Sequence, residues 1–221
     1  MSKVINITLD GPGGSGKTTI AKAIAKELNI AYLDTGAMYR GVAYYMLSQN
    51  IDVADVETVK ANLDKFTLKV IREDGEQKIL IDDKDVSGLI RTQEISMMAS
   101  TVSKIPEVRL KLVEMQRSIA KESSCVIDGR DIGSYVLPDA EYKFYLTADV
   151  DERAKRRFLE QKAKNMDVTL DQVKAEMIAR DDQDSKRAFA PLVVPTGAFV
   201  IDTTNMTFEE VLDLILSRIK K

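Results

Sequence analysis

The chain has 221 residues, 44% of them hydrophobic and 30% charged, with a formal net charge of −3; this is an ordinary globular composition, long enough for one α/β domain with an insert or for two small domains. That charge supplies no overall basic field for nucleic acid or an acidic membrane surface, and no apolar run approaches membrane-spanning length. With no histidine and one cysteine, Cys125, histidine acid–base chemistry, a Ser-His-Asp triad, histidine metal sites and an intrachain disulfide are all excluded, so catalysis must rest on carboxylates, arginines, lysines and a bound cation.

The apolar, β-branched run at residues 4–9 predicts a strand. Apolar residues at 20, 24 and 28, with alanines at 21, 23 and 25, predict a helix. Between them Gly11-Pro12-Gly13-Gly14-Ser15-Gly16-Lys17-Thr18 fits G-x-x-x-x-G-K-[ST], and strand, glycine-rich loop and helix are the context that makes this pattern a P-loop. Glycines let backbone N–H groups converge on phosphate oxygens, and the free N–H groups of the following helix point at the same anion. Lys17 can reach β and γ oxygens, and the Thr18 hydroxyl can ligate Mg²⁺.

A short strand at 31–33 ends at Asp34, and Thr35-Gly36 opens a helix over 37–47 with Met38, Val42, Tyr45 and Met46 on one side. Residues 55–63 predict a short helix capped by Asp55. Alternating segments at 66–71 and 78–81, joined across Asp74-Gly75, predict a hairpin, and 84–88 a third short strand or a turn. This small antiparallel piece reads as an insert at 63–90. Helices follow at 94–103 and 106–121, the second begun by Pro106 with Val108, Leu112, Met115 and Ile119 as its apolar face. Met97 and Met98 read as core residues. Strands at 124–127, 142–146 and 198–201 alternate with helices at 150–164, 169–187 and from Thr207 onward. Cys125, inside an apolar run, reads as a buried inert thiol. The whole predicts an α/β fold: a five-stranded parallel sheet with helices on both faces, whose ligands sit beyond the carboxyl ends of the strands, where Asp10, Asp34, Asp128 and Thr147 fall.

Asp128 stands where a P-loop protein places a carboxylate for Mg²⁺. Gly129-Arg130-Asp131-Ile132-Gly133 follows it; the arginine suits phosphate and the aspartate suits an amino donor on a base, although an Arg–Asp surface pair is the commoner use. Arg40, one turn into its helix, could reach a second phosphate. Arg180, Asp184 and Arg187 share a helix face by spacing, which alone reads as an exposed ion-pair ladder. Arg153 and Arg157 are i, i+4 neighbours in a cationic helix. They read either as a solvated face or as arginines of a mobile lid that neutralise transferred phosphoryl charge. Ser100 and Arg109 carry no signal alone.

Together these segments resemble one family: Gly11 to Thr19; Leu33-Asp34-Thr35-Gly36-Ala37-Met38-Tyr39-Arg40; Ala99-Ser100 with Val108-Arg109; Asp128 to Gly133; Arg180-Asp181-Asp182-Gln183-Asp184-Ser185-Lys186-Arg187; and Ala190-Pro191-Leu192. In this order over residues 3–220 they resemble the bacterial cytidylate kinases, P-loop nucleoside monophosphate kinases with a substrate-side insert. The resemblance implies ATP + CMP ⇌ ADP + CDP with Mg²⁺, and dCMP as a second acceptor; composition, charge and cysteine usage predict a cytoplasmic chain without nucleic-acid or membrane partners, and a monomer is expected. The resemblance also implies a core at 1–62 and 91–221, a lid at about 150–168 and the insert at 63–90. Gly11, Pro12, Gly13, Gly14, Ser15, Gly16, Lys17, Thr18 and Thr19 would bind ATP, with Thr18 and Asp128 at the metal. Ser100, Arg109 and Asp131 would read cytosine, Arg180 and Asp184 would hold the ribose, and Thr35, Arg40, Arg130 and Arg187 the CMP phosphate. Lys17, Asp128, Arg130, Arg153 and Arg157 would carry the transfer. Thr35 stands where the family often has serine, and the hydroxyl is kept. A P-loop kinase of another acceptor, such as AMP, dTMP or a small metabolite, is the alternative; a GTPase switch lacks its N-K-x-D guanine motif.

Overall fold

The computed structural model describes residues 4–73 and 75–219. Strand β1 (Asn6–Asp10) leads through the glycine-rich loop into helix α1 (Lys17–Glu27), then β2 (Ala31–Asp34), α2 (Thr35–Ser48) and α3 (Val56–Asn62). A small sheet follows, β3 (Leu68–Glu73), β4 (Glu76–Ile81) and β5 (Lys84–Asp85), and then α4 (Gln93–Val102) and α5 (Pro106–Glu122). The chain returns with β6 (Cys125–Asp128), β7 (Tyr142–Thr147), α6 (Val150–Ala163), α7 (Leu170–Lys186), β8 (Phe199–Asp202) and α8 (Phe208–Ile219). Among the described residues no helix is long and apolar enough to cross a membrane.

β1 lies at the centre of a five-stranded sheet in the order β2-β6-β1-β7-β8. It pairs in parallel with β6 on one side and β7 on the other. Thr8 and Asp10 are as fully buried as Ile7 and Leu9, because a central parallel strand is covered on both faces and loses the alternation of a half-exposed one. The register places Leu9 beside Asp128, Asp10 beside Tyr145, and Thr147 beside Asp202. The carboxyl ends of these strands are therefore level, and whatever follows each of them gathers at one edge.

The chain divides into two compact units. The first, Met1–Tyr32 with Glu122–Lys221, packs Ile20, Ile24, Val126, Phe144, Leu146, Ile201, Val211 and Ile215 into one core, and joins α6 to α7 through Ala154, Val173 and Met177. Cys125 is buried there with its thiol 3.1 Å from Asn6 Oδ1. The second, Leu33–Lys121, holds α2 against the antiparallel sheet β3-β4-β5. A Cβ at Gly41 would stand 2.9 Å from Ile79 Cγ2, so a glycine is what lets α2 approach β4. Tyr45 stacks on Phe66 at 4.1 Å between ring centroids. This unit is wider than the hairpin insert alone. The hairpin strands pair from Leu68–Ile81 out to Glu73–Glu76, with Gly75 at φ +80 in the turn; Asp74 lies outside the described residues.

Three sequence expectations shift. The buried face of α5 is Val108, Arg109, Leu112, Val113, Gln116 and Ala120, rotated from the predicted stripe because Arg109 and Gln116 turn inward, which hydrophobicity cannot signal. Met97 is 64% exposed rather than core. The segment Ile132–Val136 forms a wide helical turn with Tyr135 and Val136 N–H both bonded to Asp131 O, where no element was predicted.

Candidate active site

The phosphate loop follows from its neighbours. Gly11 has φ +141, and a Cβ there would lie 1.9 Å from Leu146 O of the adjacent strand; Gly14, at φ +73, backs onto Met177 and the Arg153 backbone. No L side chain fits either position. Helix α1 starts directly after Gly16 with no side-chain cap and no acidic residue in its first turn, which leaves its N–H groups and positive end open to an anion.

Lys17 is buried and donates to Pro12 O at 2.6 Å and to Ser15 Oγ at 3.3 Å. Burial, and then the Arg130 guanidinium, hold its ammonium well below the ordinary lysine range, with Arg180 acting in the same sense and Asp128 and Asp10 opposing. Lys17, Arg130 and Arg180 thus share one electrostatic field, a concentration of positive charge suited to a polyanion.

Thr18 Oγ1 donates to Asp128 Oδ2 at 2.8 Å, and Tyr32 Oη donates to Asp128 Oδ1 at 3.0 Å. A hydroxyl and a carboxylate side by side are oxygen donors of the kind that Mg²⁺ takes. Among the described residues there is no cluster of three acidic, cysteine or histidine ligands, so these side chains alone would not complete a cation's coordination, which water or other oxygens would have to fill.

Beside this lies a network that the sequence alone read as exposed. Arg130 Nε donates to Asp184 Oδ2 at 3.0 Å, Arg187 Nη2 pairs with Asp131 Oδ1 at 3.1 Å, and Arg187 Nη1 is 3.9 Å from Asp184 Oδ1. The side chains of Arg187, Asp131 and Asp184 are only 6–7% exposed. The α7 face is therefore a buried lattice and not a solvated ladder, since Arg187 caps the helix and turns back to bond Ala190 O at 2.6 Å. Arg180 on the same helix is exposed.

Arg153 and Arg157 of α6 separate. Arg153 is buried, with Nε on Ala148 O at 2.9 Å and Nη1 on Gly13 O at 3.0 Å and Asp181 Oδ2 at 2.6 Å. Arg157 is 39% exposed in its side chain and pairs with Glu160. Shared helix spacing does not bring them to one target. Thr19 is exposed on α1.

The second unit carries Thr35, buried as the first residue of α2, and Arg40, whose Nη2 is 2.9 Å from Asp34 Oδ2. Arg109 is 1% exposed, donates to Ser103 O at 3.3 Å and lies 5.5 Å from the Tyr39 ring centroid. Ser100 sits part-buried in α4.

Sequence reasoning missed three groups. Asp10 accepts from Ile132 N and Gly133 N, each at 2.7 Å, and so fixes the backbone after Arg130-Asp131; its strand-end position was visible and its partners were not. Thr203, just beyond β8, has Oγ1 3.1 Å from Thr147 O and 3.4 Å from Ser15 O, and takes Arg156 Nη1 at 3.1 Å. The strand-end rule, applied to the last strand, would have reached it. Asp181 gave no signal among its acidic neighbours.

The chain matches the family model described as cytidylate kinase over residues 7–221. A protein named cytidylate kinase from Caldicellulosiruptor saccharolyticus is 50% identical over 214 residues, covering 97% of this chain and 95% of its own. One of the same name from Caldicellulosiruptor bescii is 48% identical with the same coverage. A crystal structure of an uncharacterised protein from Eubacterium ventriosum superimposes with a TM-score of 0.53 at 15% identity, covering 98% of this chain and 99% of that one, which bears on the fold alone. Full-length identity at this level, joined to a P-loop whose lysine, hydroxyl and strand-end carboxylate are in place, makes the chain a member of the cytidylate kinase family.

Proposed function

We propose that this chain transfers the γ-phosphoryl group of ATP to CMP, and to dCMP, giving ADP and the corresponding diphosphate, with Mg²⁺ held between Thr18, Asp128 and the nucleotide. The observation that carries the reading is the juxtaposition of a complete P-loop with the part-buried Arg130–Asp184 and buried Arg187–Asp131 pairs on the same unit. A donor site needs only the first; the second supplies arginines and carboxylates for a charged, hydrogen-bonding acceptor. Family membership and the relatives' names support CMP as that acceptor.

The CMP phosphate is already an anionic nucleophile, so no general base is required. One of its oxygens forms the new bond to the γ-phosphorus as the bond to the ADP oxygen breaks, in line. The protein's task is to hold two anions together. Each unit-charge repulsion at about 4 Å costs roughly 4 kcal/mol at an effective dielectric near 20. Lys17, Arg130, Arg180 and Arg187, with Arg40 from the second unit, offset it. Phosphate oxygens beside Lys17 act opposite to its burial and favour the charged ammonium. The metal screens the same oxygens when bound. Within α6 the roles divide: Arg153 buttresses the loop through Gly13, and Arg157, held by its exposed pair with Glu160, is the lid arginine assigned to the transferred group. The hairpin at 63–90 and the lid at about 150–168 are the parts proposed to close over substrate and exclude water.

Asp131 as acceptor and Arg109 as donor, with Ser100 as a further contact, are assigned to the exocyclic amine and ring N3 of cytosine; uracil reverses that pattern and would leave those groups unpaired. Arg180 and Asp184 are assigned to the ribose, and Thr35, Arg40, Arg130 and Arg187 to the phosphate. Asp131→Ala should lower kcat/KM for CMP at least a hundredfold and shrink its lead over UMP. CMP turnover unchanged in that variant refutes the base assignment. A coupled assay of ATP with CMP, dCMP, UMP and AMP tests the function itself; preference for AMP would favour a kinase of another acceptor. ATP and CMP are cytoplasmic metabolites, which supports a cytoplasmic location, and sedimentation of the free chain tests the expected monomer.

A further inference from the structure

We propose that Gln77, on the hairpin strand β4, is a positioning residue for the acceptor-phosphate group Arg40, acting through the backbone of Asp34; this rests on the assignment of Thr35 and Arg40 to the acceptor phosphate. Asp34 ends β2, an outer strand of the large sheet, and such a strand exposes a row of N–H and C=O groups on one side. At Asp34 a side chain takes the place of a neighbouring strand. Gln77 Oε1 accepts from Asp34 N at 2.7 Å, and Gln77 Nε2 donates to Asp34 O at 3.2 Å. One primary amide thus satisfies the donor and the acceptor of one residue, as a paired strand would.

Asp34 is the right residue to hold. Its Oδ1 accepts from Ala37 N at 2.9 Å and caps α2, while its Oδ2 takes Arg40 Nη2 at 2.9 Å. Fixing the Asp34 backbone therefore fixes the start of α2, the Thr35 hydroxyl next to it and the direction of the Arg40 guanidinium. A second contact keeps β4 in place for this: Ile79, two residues on from Gln77, lies where Gly41 gives α2 its close approach. Two points on one strand thus set the axial position of the helix, with Gln77 acting at the end that carries the phosphate groups. The hairpin insert is then a template for the acceptor site as well as a cover.

The test compares wild type, Gln77→Ala and Gln77→Glu. Gln77→Ala removes both bonds and should raise KM for CMP about tenfold. KM for ATP should change less than about twofold, because both Gln77 bonds go to Asp34 on the acceptor side. Gln77→Glu keeps an acceptor for Asp34 N but sets a second oxygen against Asp34 O and adds negative charge, so its KM for CMP should rise further. Amide exchange at Asp34, read by nuclear magnetic resonance without nucleotide, should quicken in Gln77→Ala while Ala37 remains protected. Unchanged KM for CMP in both variants overturns the proposal. So does a parallel rise of both KM values with a lowered Tm, which would mark Gln77 as simple structural support. If wild type prefers another nucleoside monophosphate, the CMP reading falls, and the same KM split is read with that acceptor.

Discussion

Asp10 closes β1 with its carboxylate fully buried behind the phosphate loop, and its ionisation has a sign opposite to that of an ordinary surface acid. Burial raises its pKa from 3.8 to about 6, helped by the Asp131 charge and opposed by the amides of Gly133 and Ile132 and by Lys17. The folded protein therefore takes up this proton before the unfolded chain does. Its contribution to stability is fully present below about pH 3.8 and is lost as pH rises through 6. The exposed acids Asp55, Asp85, Glu107 and Asp202 are shifted down by hydrogen bonds and a lysine neighbour, so their contributions are lost on acidification. Asp10→Asn should remove the opposing term: the stability difference between wild type and variant should move toward wild type by on the order of 3 kcal/mol from pH 7 to pH 4. Urea unfolding of both proteins across that range reads it, and parallel curves would refute it. Neutral pH thus finds Asp10 ionised at a cost in stability, while its carboxylate holds the two amides that follow Arg130 and Asp131.

At the scale of the element, α6 shows where a helical pattern stops being informative. Its sequence displays the charge of a solvated face, and the 3.6-residue period places Arg153 and Arg157 near one another correctly. Which of them meets protein is decided by α7 and the glycine loop, which no local rule contains. The same limit explains α5, where Arg109 and Gln116 turn inward, and α7, where a ladder of charges became a buried lattice. Strands were easier: apolar runs ending in aspartate located β1, β2 and β6, and the P-loop pattern located α1 to within the first turn. The turn over Ile132–Val136 was illegible because its first two amides, Ile132 N and Gly133 N, are satisfied by Asp10, a partner more than a hundred residues away in sequence. The two arginines should separate in experiment. Arg153→Ala leaves Asp181 and the Gly13 carbonyl without their donor, and should cost about 2–4 kcal/mol of stability and raise KM for ATP. Arg157→Ala breaks only an exposed pair, so stability should change by a few tenths of a kcal/mol while kcat falls at least tenfold if it neutralises the transferred group. Equal unfolding midpoints for the two variants would remove the buttressing role from Arg153.

For the whole molecule, the division into Met1–Tyr32 with Glu122–Lys221 and Leu33–Lys121 sorts the proposed residues by substrate. Every proposed ATP contact, Gly11 to Thr19 with Asp128, Arg153 and Arg157, belongs to the first unit. The proposed acceptor residues come from both: Arg130, Asp131, Arg180, Asp184 and Arg187 from the first, and Thr35, Arg40, Ser100 and Arg109 from the second. A ligand stabilises what it binds by RT ln(1 + [L]/Kd), about 2.7 kcal/mol at a hundredfold excess over Kd, and local opening reports that gain only in the cooperative part that holds the contacts. ADP should therefore slow amide exchange in α1 and β6 and leave β3 and β4 at their free rates. CMP should slow exchange at the start of α2 and, through Asp34 and Gln77, in β4. Hydrogen exchange with each ligand alone, followed peptide by peptide, makes the comparison. Equal protection of β4 by ADP and by CMP would mean that occupation of the donor site already stabilises the second unit, and the assignment of acceptor contacts to Thr35 and Arg40 would lose its basis. Protection of β4 by CMP alone would tie the hairpin to the acceptor, and its absence in Gln77→Ala would identify the side chain that makes the connection.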